Sequence, residues 1–257
     1  MTKAIVFFDL DGTLLNNKTQ LDPEVINAVT QLKADDILPV IATGRNIFEI
    51  KNVLQQTQID TLVSANGAFI VLNGKPVDVT DIPRDVIKRL AVLVKNHDDA
   101  YATLNNQTDR INRMNENVKK VYHYINSPIP IIDPTFWQLY PVQMMLIIAT
   151  NENDQDYLDS FKDELTFFRQ TPYSIDVVGP GVSKKAGIQT LLSRPEFKGV
   201  PTYAFGDGNN DLPMFDAVDH AVAMGNGLAP VKDAAEFVTT ENIDHGIVNG
   251  LKHFKLL

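Results

Sequence analysis

Five apolar residues in succession, Ala4-Ile5-Val6-Phe7-Phe8, run straight into Asp9-Leu10-Asp11-Gly12-Thr13. An unbroken apolar run of strand length predicts a strand covered on both faces, as in a parallel sheet between helix layers. A helix follows, with Asp22 placed to cap it, Pro23 in its first turn, and Val25, Val29 and Leu32 at helical spacing. The stretch "ILPVIATGR" repeats the passage from strand into polar loop, and Ile47, Ile50, Val53 and Leu54 mark the next helix. "TLVSANGAFIVLNGKPV" predicts a strand and then a hairpin turning at Asn73-Gly74.

After Asp81 the rhythm changes. Helical patterns over Pro83 to Asn96 and Asn153 to Leu165 mix with strand-like runs, "PVQMMLIIAT" and "YSIDVV". The proline-rich piece "NSPIPIIDPTFW" excludes long regular structure. From Gly181 the first rhythm resumes: a helix over Lys184 to Leu192, the strands "TYAFG" and "HAVAM", and a last helix ending near Phe254. The fold class expected is α/β. A doubly wound, mostly parallel core sheet spans 1–81 and 181–257, and an inserted α+β domain spans 82–180.

Composition narrows the classes. With 257 residues, 44% hydrophobic and 21% charged, the chain suits a soluble globular protein. A net charge of -9 disfavours non-specific binding to nucleic acid or to an anionic membrane. The absence of cysteine excludes disulfides, thiolate zinc sites and cysteine nucleophiles. The N-terminal apolar run is too short for a signal segment or a membrane span, so a cytoplasmic location is expected.

In an open parallel sheet, ligands bind beyond the carboxyl ends of the strands. Four polar clusters fall just after expected core strands or at a helix start: Asp9 to Thr13, Thr43-Gly44-Arg45, Lys184, and Gly206-Asp207-Gly208-Asn209-Asn210-Asp211. One crevice would then gather at least three carboxylates and a lysine. Massed carboxylates repel, and a hard divalent cation with oxygen ligands neutralises them most simply; Mg²⁺ fits best.

The motifs "DLDGTLL", "IATGR", "GVSKKAGI" and "FGDGNNDLPMF", followed by "AVAMGNG", resemble in order and spacing those of the haloacid dehalogenase superfamily. In detail the chain is similar to the Cof-type phosphatases, which carry a large α/β cap between the second and third motifs. The resemblance covers essentially the whole chain. It implies Asp9 as the nucleophile that forms an aspartyl-phosphate, and Asp11 as the acid and base for leaving group and water. It also implies Mg²⁺ held by Asp9, the Asp11 carbonyl and Asp207, with Asp211 orienting metal-bound water. The phosphate would be bound by Leu10, Thr43, Gly44, Lys184 and Asn210, with Arg45 beside it as a substrate contact. Lys185 stands where the family usually has glycine, and the register of "GVSK" selects Lys184.

The function expected is hydrolysis of phosphomonoesters of small metabolites, a sugar phosphate or a phosphorylated cofactor. A phosphomutase and a non-catalytic phospho-ligand sensor are the alternatives; loss of Asp9 or Asp11 would favour the sensor, and both are present. "DGNNDL" is not an EF-hand start, because Leu212 occupies the position that requires glycine. "GPGVSK" lacks the order and spacing of a P-loop, and the five histidines show no metal-binding spacing. Asn66-Gly67 reads as a turn that could face the site. In the insert, Tyr122, His123, Tyr124, Trp137, Arg110 and Arg113 are candidates to touch the substrate.

Overall fold

A computed structural model describes residues 2–257. The chain divides into two compact units. One comprises the segments up to Arg45, Glu49–Asp78 and Ser183–Leu257; the other comprises Asn46–Phe48 and Val79–Val182. The first unit opens with β1 (Ala4–Phe8), α1 (Pro23–Ala34), β2 (Ile37–Ala42), α2 (Lys51–Thr57), β3 (Leu62–Ser64), β4 (Phe69–Leu72) and β5 (Lys75–Val79). In the second unit follow α3 (Arg84–Asn96), β6 (Ala100–Leu104), β7 (Asp109–Ile111), α4 (Glu116–Tyr124), α5 (Phe136–Leu139), β8 (Met144–Ile148), α6 (Asp154–Phe161), β9 (Thr166–Thr171) and β10 (Ser174–Val178). The first unit resumes with α7 (Lys184–Leu192), β11 (Thr202–Gly206), α8 (Leu212–Phe215), β12 (His220–Ala223), α9 (Ala229–Ala234), β13 (Phe237–Val238) and α10 (Gly246–His253).

The larger sheet has the order β13-β12-β11-β1-β2-β3-β4-β5. Its pairs from β13 to β3 are parallel, and β4 joins β3 antiparallel. Every residue of β1 is buried, which is why its sequence shows no polar alternation. Ile5, Phe7, Val40, Ala42 and Val63 form one core with Ile188 and Leu191 of α7 and with Met214 and Phe215 of α8. The α/β class and mostly parallel sheet expected from the alternation are those observed.

Local details differ from the expectations. The Asp22 side chain makes no capping bond to α1; it accepts a hydrogen bond from Asn16 Nδ2 at 2.8 Å, tying the helix start to the preceding loop. The helix expected from Ile47 opens as a 3₁₀ turn, Ile47–Glu49, and becomes α-helical only at Lys51. Asn73-Gly74 is the anticipated hairpin turn, with φ of +51° and +74°. A second reversal, over residues 65–67, separates β3 from β4 at the turn expected from Asn66-Gly67.

The second unit is built on a five-stranded antiparallel sheet, β7-β6-β8-β10-β9. Val86, Ile87, Leu90 and Val94 of α3 and Tyr157 and Phe161 of α6 pack on Tyr101, Met145, Ile147, Ile175 and Val177. The wholly buried Tyr157 donates its hydroxyl hydrogen to Asp99 Oδ2 at 2.7 Å, satisfying both polar groups inside this core. Its phenol is pushed up by burial and by that carboxylate.

Candidate active site

The register of the larger sheet gathers the polar clusters. Phe8 lies level with Phe205 on one side and with Ile41 on the other. Asp9, Thr43 and Asp207 therefore leave their strands at nearly the same height. The strand order reverses at β1, whose neighbours β2 and β11 are far apart in sequence. Such a switch point opens a crevice at the strands' carboxyl ends. The Asp9 N–H donates to the Phe205 carbonyl at 3.0 Å and the Thr43 N–H to the Val63 carbonyl at 2.9 Å, so both loops start from fixed backbone.

Lys184, the first residue of α7, is buried to 1% exposure. Ser183 caps that helix by accepting the Ala186 N–H at 3.1 Å. The Lys184 Nζ donates to Asp9 Oδ1 at 2.5 Å and to Asp211 Oδ1 at 2.7 Å. Burial alone would lower its pKa, but Asp211 and Asp9 outweigh that and raise it. The other Asp211 oxygen accepts the backbone N–H groups of Asp207 (2.9 Å) and Gly208 (3.0 Å). With both oxygens engaged, Asp211 braces the lysine and the Asp207 loop.

Asp9, Asp207 and Asp211 each present an oxygen within 4.8 Å of the others. With all three ionised, the carboxylates against one ammonium would give this largely buried cluster a net charge of −2. Burial, opposed by Lys184 and reinforced by the other carboxylates, holds Asp9 well above the usual carboxylate range. Burial and Asp211 push Asp207 up to about 6. An oxygen-only donor set with uncompensated negative charge suits a hard divalent cation, which would return both groups to the ionised form.

Gly12 has φ of +78°, and a Cβ there would lie 2.3 Å from Asp207 Oδ2. Thr13, 1% exposed, donates its hydroxyl hydrogen to Asp207 Oδ1 at 2.9 Å. Asn226 Nδ2 donates to the Gly12 carbonyl at 2.7 Å. Neither Thr13 nor Asn226 was singled out from sequence, although both sit inside quoted motifs. Gly12→Ala should displace Asp207 and lower kcat on the order of 100-fold, the scale of an ångström-size misplacement. Steady-state assays alongside a circular-dichroism melt would separate this loss from unfolding.

Asp11 is not part of the carboxylate trio. Its half-exposed side chain lies in the fork of Arg45, with Nε to Oδ2 at 2.7 Å and Nη2 to Oδ1 at 2.6 Å. Arg45 thus meets a protein carboxylate at the position where a substrate contact was expected. Thr43, 1% exposed, accepts the Arg45 N–H on its hydroxyl oxygen at 3.1 Å, which leaves the hydroxyl hydrogen to donate elsewhere. Leu10 is a wholly buried side chain whose carbonyl accepts the N–H groups of Thr13 and Leu15. Asn210 is half-buried in the turn between Asp207 and Asp211.

In the second unit Arg110 is held by Thr108, by the Asp109 carbonyl and over the Phe136 ring. Arg113 pairs with Asp98 and donates to the Asp99 carbonyl at 2.7 Å. Both arginines anticipated as substrate contacts are engaged within their own unit. Tyr122 is buried, and Trp137 donates Nε1–H to the Pro134 carbonyl at 3.0 Å. His123 and Tyr124 are exposed, Tyr124 edge-on to Tyr173.

The sequence profile of a family described as haloacid dehalogenase-like hydrolase matches residues 6–251. The chain is 28% identical over 258 residues to "Putative phosphatase YkrA" of Bacillus subtilis (strain 168), with all of both chains covered. It is 28% identical to "5-amino-6-(5-phospho-D-ribitylamino)uracil phosphatase YitU" of the same organism, over 97% of each chain. Among solved structures it is similar to the HAD subclass IIB sugar phosphatase BT4131, at a TM-score of 0.87 and 27% identity, covering 99% of this chain and 100% of that one. The chain belongs to the haloacid dehalogenase-like hydrolases, among the Cof-type phosphatases. It is a phosphatase by its family and these relatives. No helix among the described residues is long and apolar enough to cross a membrane.

Proposed function

We propose that the chain hydrolyses phosphomonoesters of small metabolites in a Mg²⁺-dependent reaction through an aspartyl-phosphate on Asp9. The observation that carries this reading is the bridge from Lys184 to Asp9 and Asp211, with Asp207 beside it. Asp9, Asp207 and the Asp11 carbonyl would hold the ion, which supplies charge neutralisation between the carboxylates and the phosphoryl group.

A carboxylate oxygen of Asp9 attacks phosphorus as the ester P–O bond breaks, and Asp11 passes its proton to the departing alcohol oxygen. Water then attacks the phosphorus of the aspartyl-phosphate and gives a proton back to Asp11, releasing inorganic phosphate and the Asp9 carboxylate. Lys184 and the donors of Thr43, Gly44, Leu10 and Asn210 stabilise the phosphoryl oxygens, while Asp211 keeps Lys184 charged and aimed. Asp11 leaves the Arg45 fork to reach the leaving group. Its half-exposed side chain has the freedom to do so.

The relatives named for sugar-phosphate and phosphoribityl substrates support a small polyol or sugar phosphate as the substrate class. The insert, residues 82–180, is assigned the selection of the leaving group. The test is inorganic-phosphate release across a panel of phosphorylated metabolites with Mg²⁺ present. Sugar and polyol phosphates should stand above nucleotides and phosphopeptides. Absence of phosphate release from every member, or phosphate transfer between sugars without release, would sink the reading.

A further inference from the structure

Behind the Thr43–Arg45 loop lies a segment to which the proposed chemistry assigns no role. After β3, Ala65, Asn66 and Gly67 take φ of +50°, +53° and +104° in succession. Left-handed backbone is easy for glycine, tolerated by asparagine and unfavourable for alanine. Ala65 and Asn66 are wholly buried. Strain of this kind persists only where the surroundings over-determine it, and it collects at functional sites.

The turn holds the backbone of the anion loop. The Asn66 N–H donates to the Thr43 carbonyl at 3.1 Å, and the Ala65 N–H to the Arg45 carbonyl at 3.0 Å. In a planar trans peptide the carbonyl and the following N–H point in opposite directions. Anchoring the Thr43 carbonyl therefore aims the Gly44 N–H away from the turn. That N–H has no protein acceptor among the described residues. On its other side the turn backs onto α7: a Cβ on Gly67 would come 2.2 Å from the Ser183 carbonyl oxygen, one residue before Lys184. One strained turn thus touches the supports of two phosphoryl donors.

We propose that the left-handed turn Ala65–Gly67 is a positioning element of the phosphoryl site, with Asn66 as the positioning residue that aims the Gly44 N–H. The inference rests on the phosphatase reading above. The turn acts through backbone direction, so its effect follows the sign of φ at residue 66 and not the chemistry of the side chain.

The probe is inorganic phosphate with Mg²⁺, followed by calorimetry and as a competitive inhibitor of p-nitrophenyl phosphate hydrolysis. Asn66→Val places a β-branched residue where φ is positive, which such residues avoid. Phosphate affinity should fall by about tenfold or more, the scale of a lost hydrogen bond to a charged acceptor, and KM should rise with it. Asn66→Gly keeps the left-handed backbone and should stay within about threefold of wild type. Should the valine variant fail to fold, Asn66→Ala carries the same backbone conflict with less bulk. Unchanged phosphate affinity in a folded valine or alanine variant overturns the proposal. So does an equal loss in the glycine variant, because the side chain would then be responsible. Wild-type protein that binds no phosphate would overturn the phosphatase reading itself, and this proposal with it.

Discussion

Asp9→Asn should abolish turnover, by roughly 10⁴-fold or more, while the protein stays folded. The amide is nearly isosteric with the carboxylate, but it is a poor nucleophile and forms no acyl-phosphate. Lys184 would keep a charged partner in Asp211, 2.7 Å from its Nζ, so the buried ammonium is not stranded. Burial already holds the Asp9 carboxyl well above its ordinary range, which means that ionising it opposes folding. Removing that charge should therefore leave the melting temperature unchanged or higher, an exchange of stability for activity common at active sites. Rapid-quench labelling with radioactive phosphoester should trap an alkali-labile adduct on wild type and none on the variant. Equal labelling of both proteins would remove Asp9 from the role of nucleophile.

Chelation should have an effect of similar size. The buried cluster carries three carboxylates and one ammonium, and an anionic phosphoester would add to the excess negative charge. Activity should vanish in excess chelator and return with Mg²⁺. Ca²⁺ should restore little, because its larger and looser shell lets a carboxylate bind through both oxygens and leaves Asp9 none free to attack. A second readout does not depend on turnover. Mg²⁺ at about a hundred times its dissociation constant should stabilise the fold by roughly 2.7 kcal/mol, visible as a rise in melting temperature. Asp207→Asn should remove most of that rise, since it deletes one charge from the trio. Full activity in chelator, or a melting temperature indifferent to Mg²⁺ in wild type, would refute the metal site.

Where substrate selection is concerned, the two arginines anticipated in the insert are engaged in their own unit, Arg113 with Asp98 and Arg110 over Phe136. Nothing in "DRINRM" distinguishes an arginine reserved for a ligand from one that closes a local ion pair. The partner of Arg113 lies fifteen residues back, in the turn between α3 and β6.

By itself the sequence determined the α/β class and the strands whose polar loops carry Asp9, Asp11 and Asp207. These features are local. An unbroken apolar run reports a doubly covered strand, and an acidic loop straight after it reports a strand end at the crevice. Tertiary structure alone decided which groups meet. Lys184 reaches Asp9 across 175 positions, and Arg45 takes Asp11 across 34, because the parallel register sets three loops at one height. It also decided the backbone of residues 65–67. An alanine carries no signal for a positive φ, and the Thr43 and Arg45 carbonyls that accept the turn's N–H groups belong to a different loop. Asn66-Gly67 marks a turn, but the left-handed Ala65, held by a distant loop, leaves no mark in its own residue, whereas a buried strand marks every residue it contains.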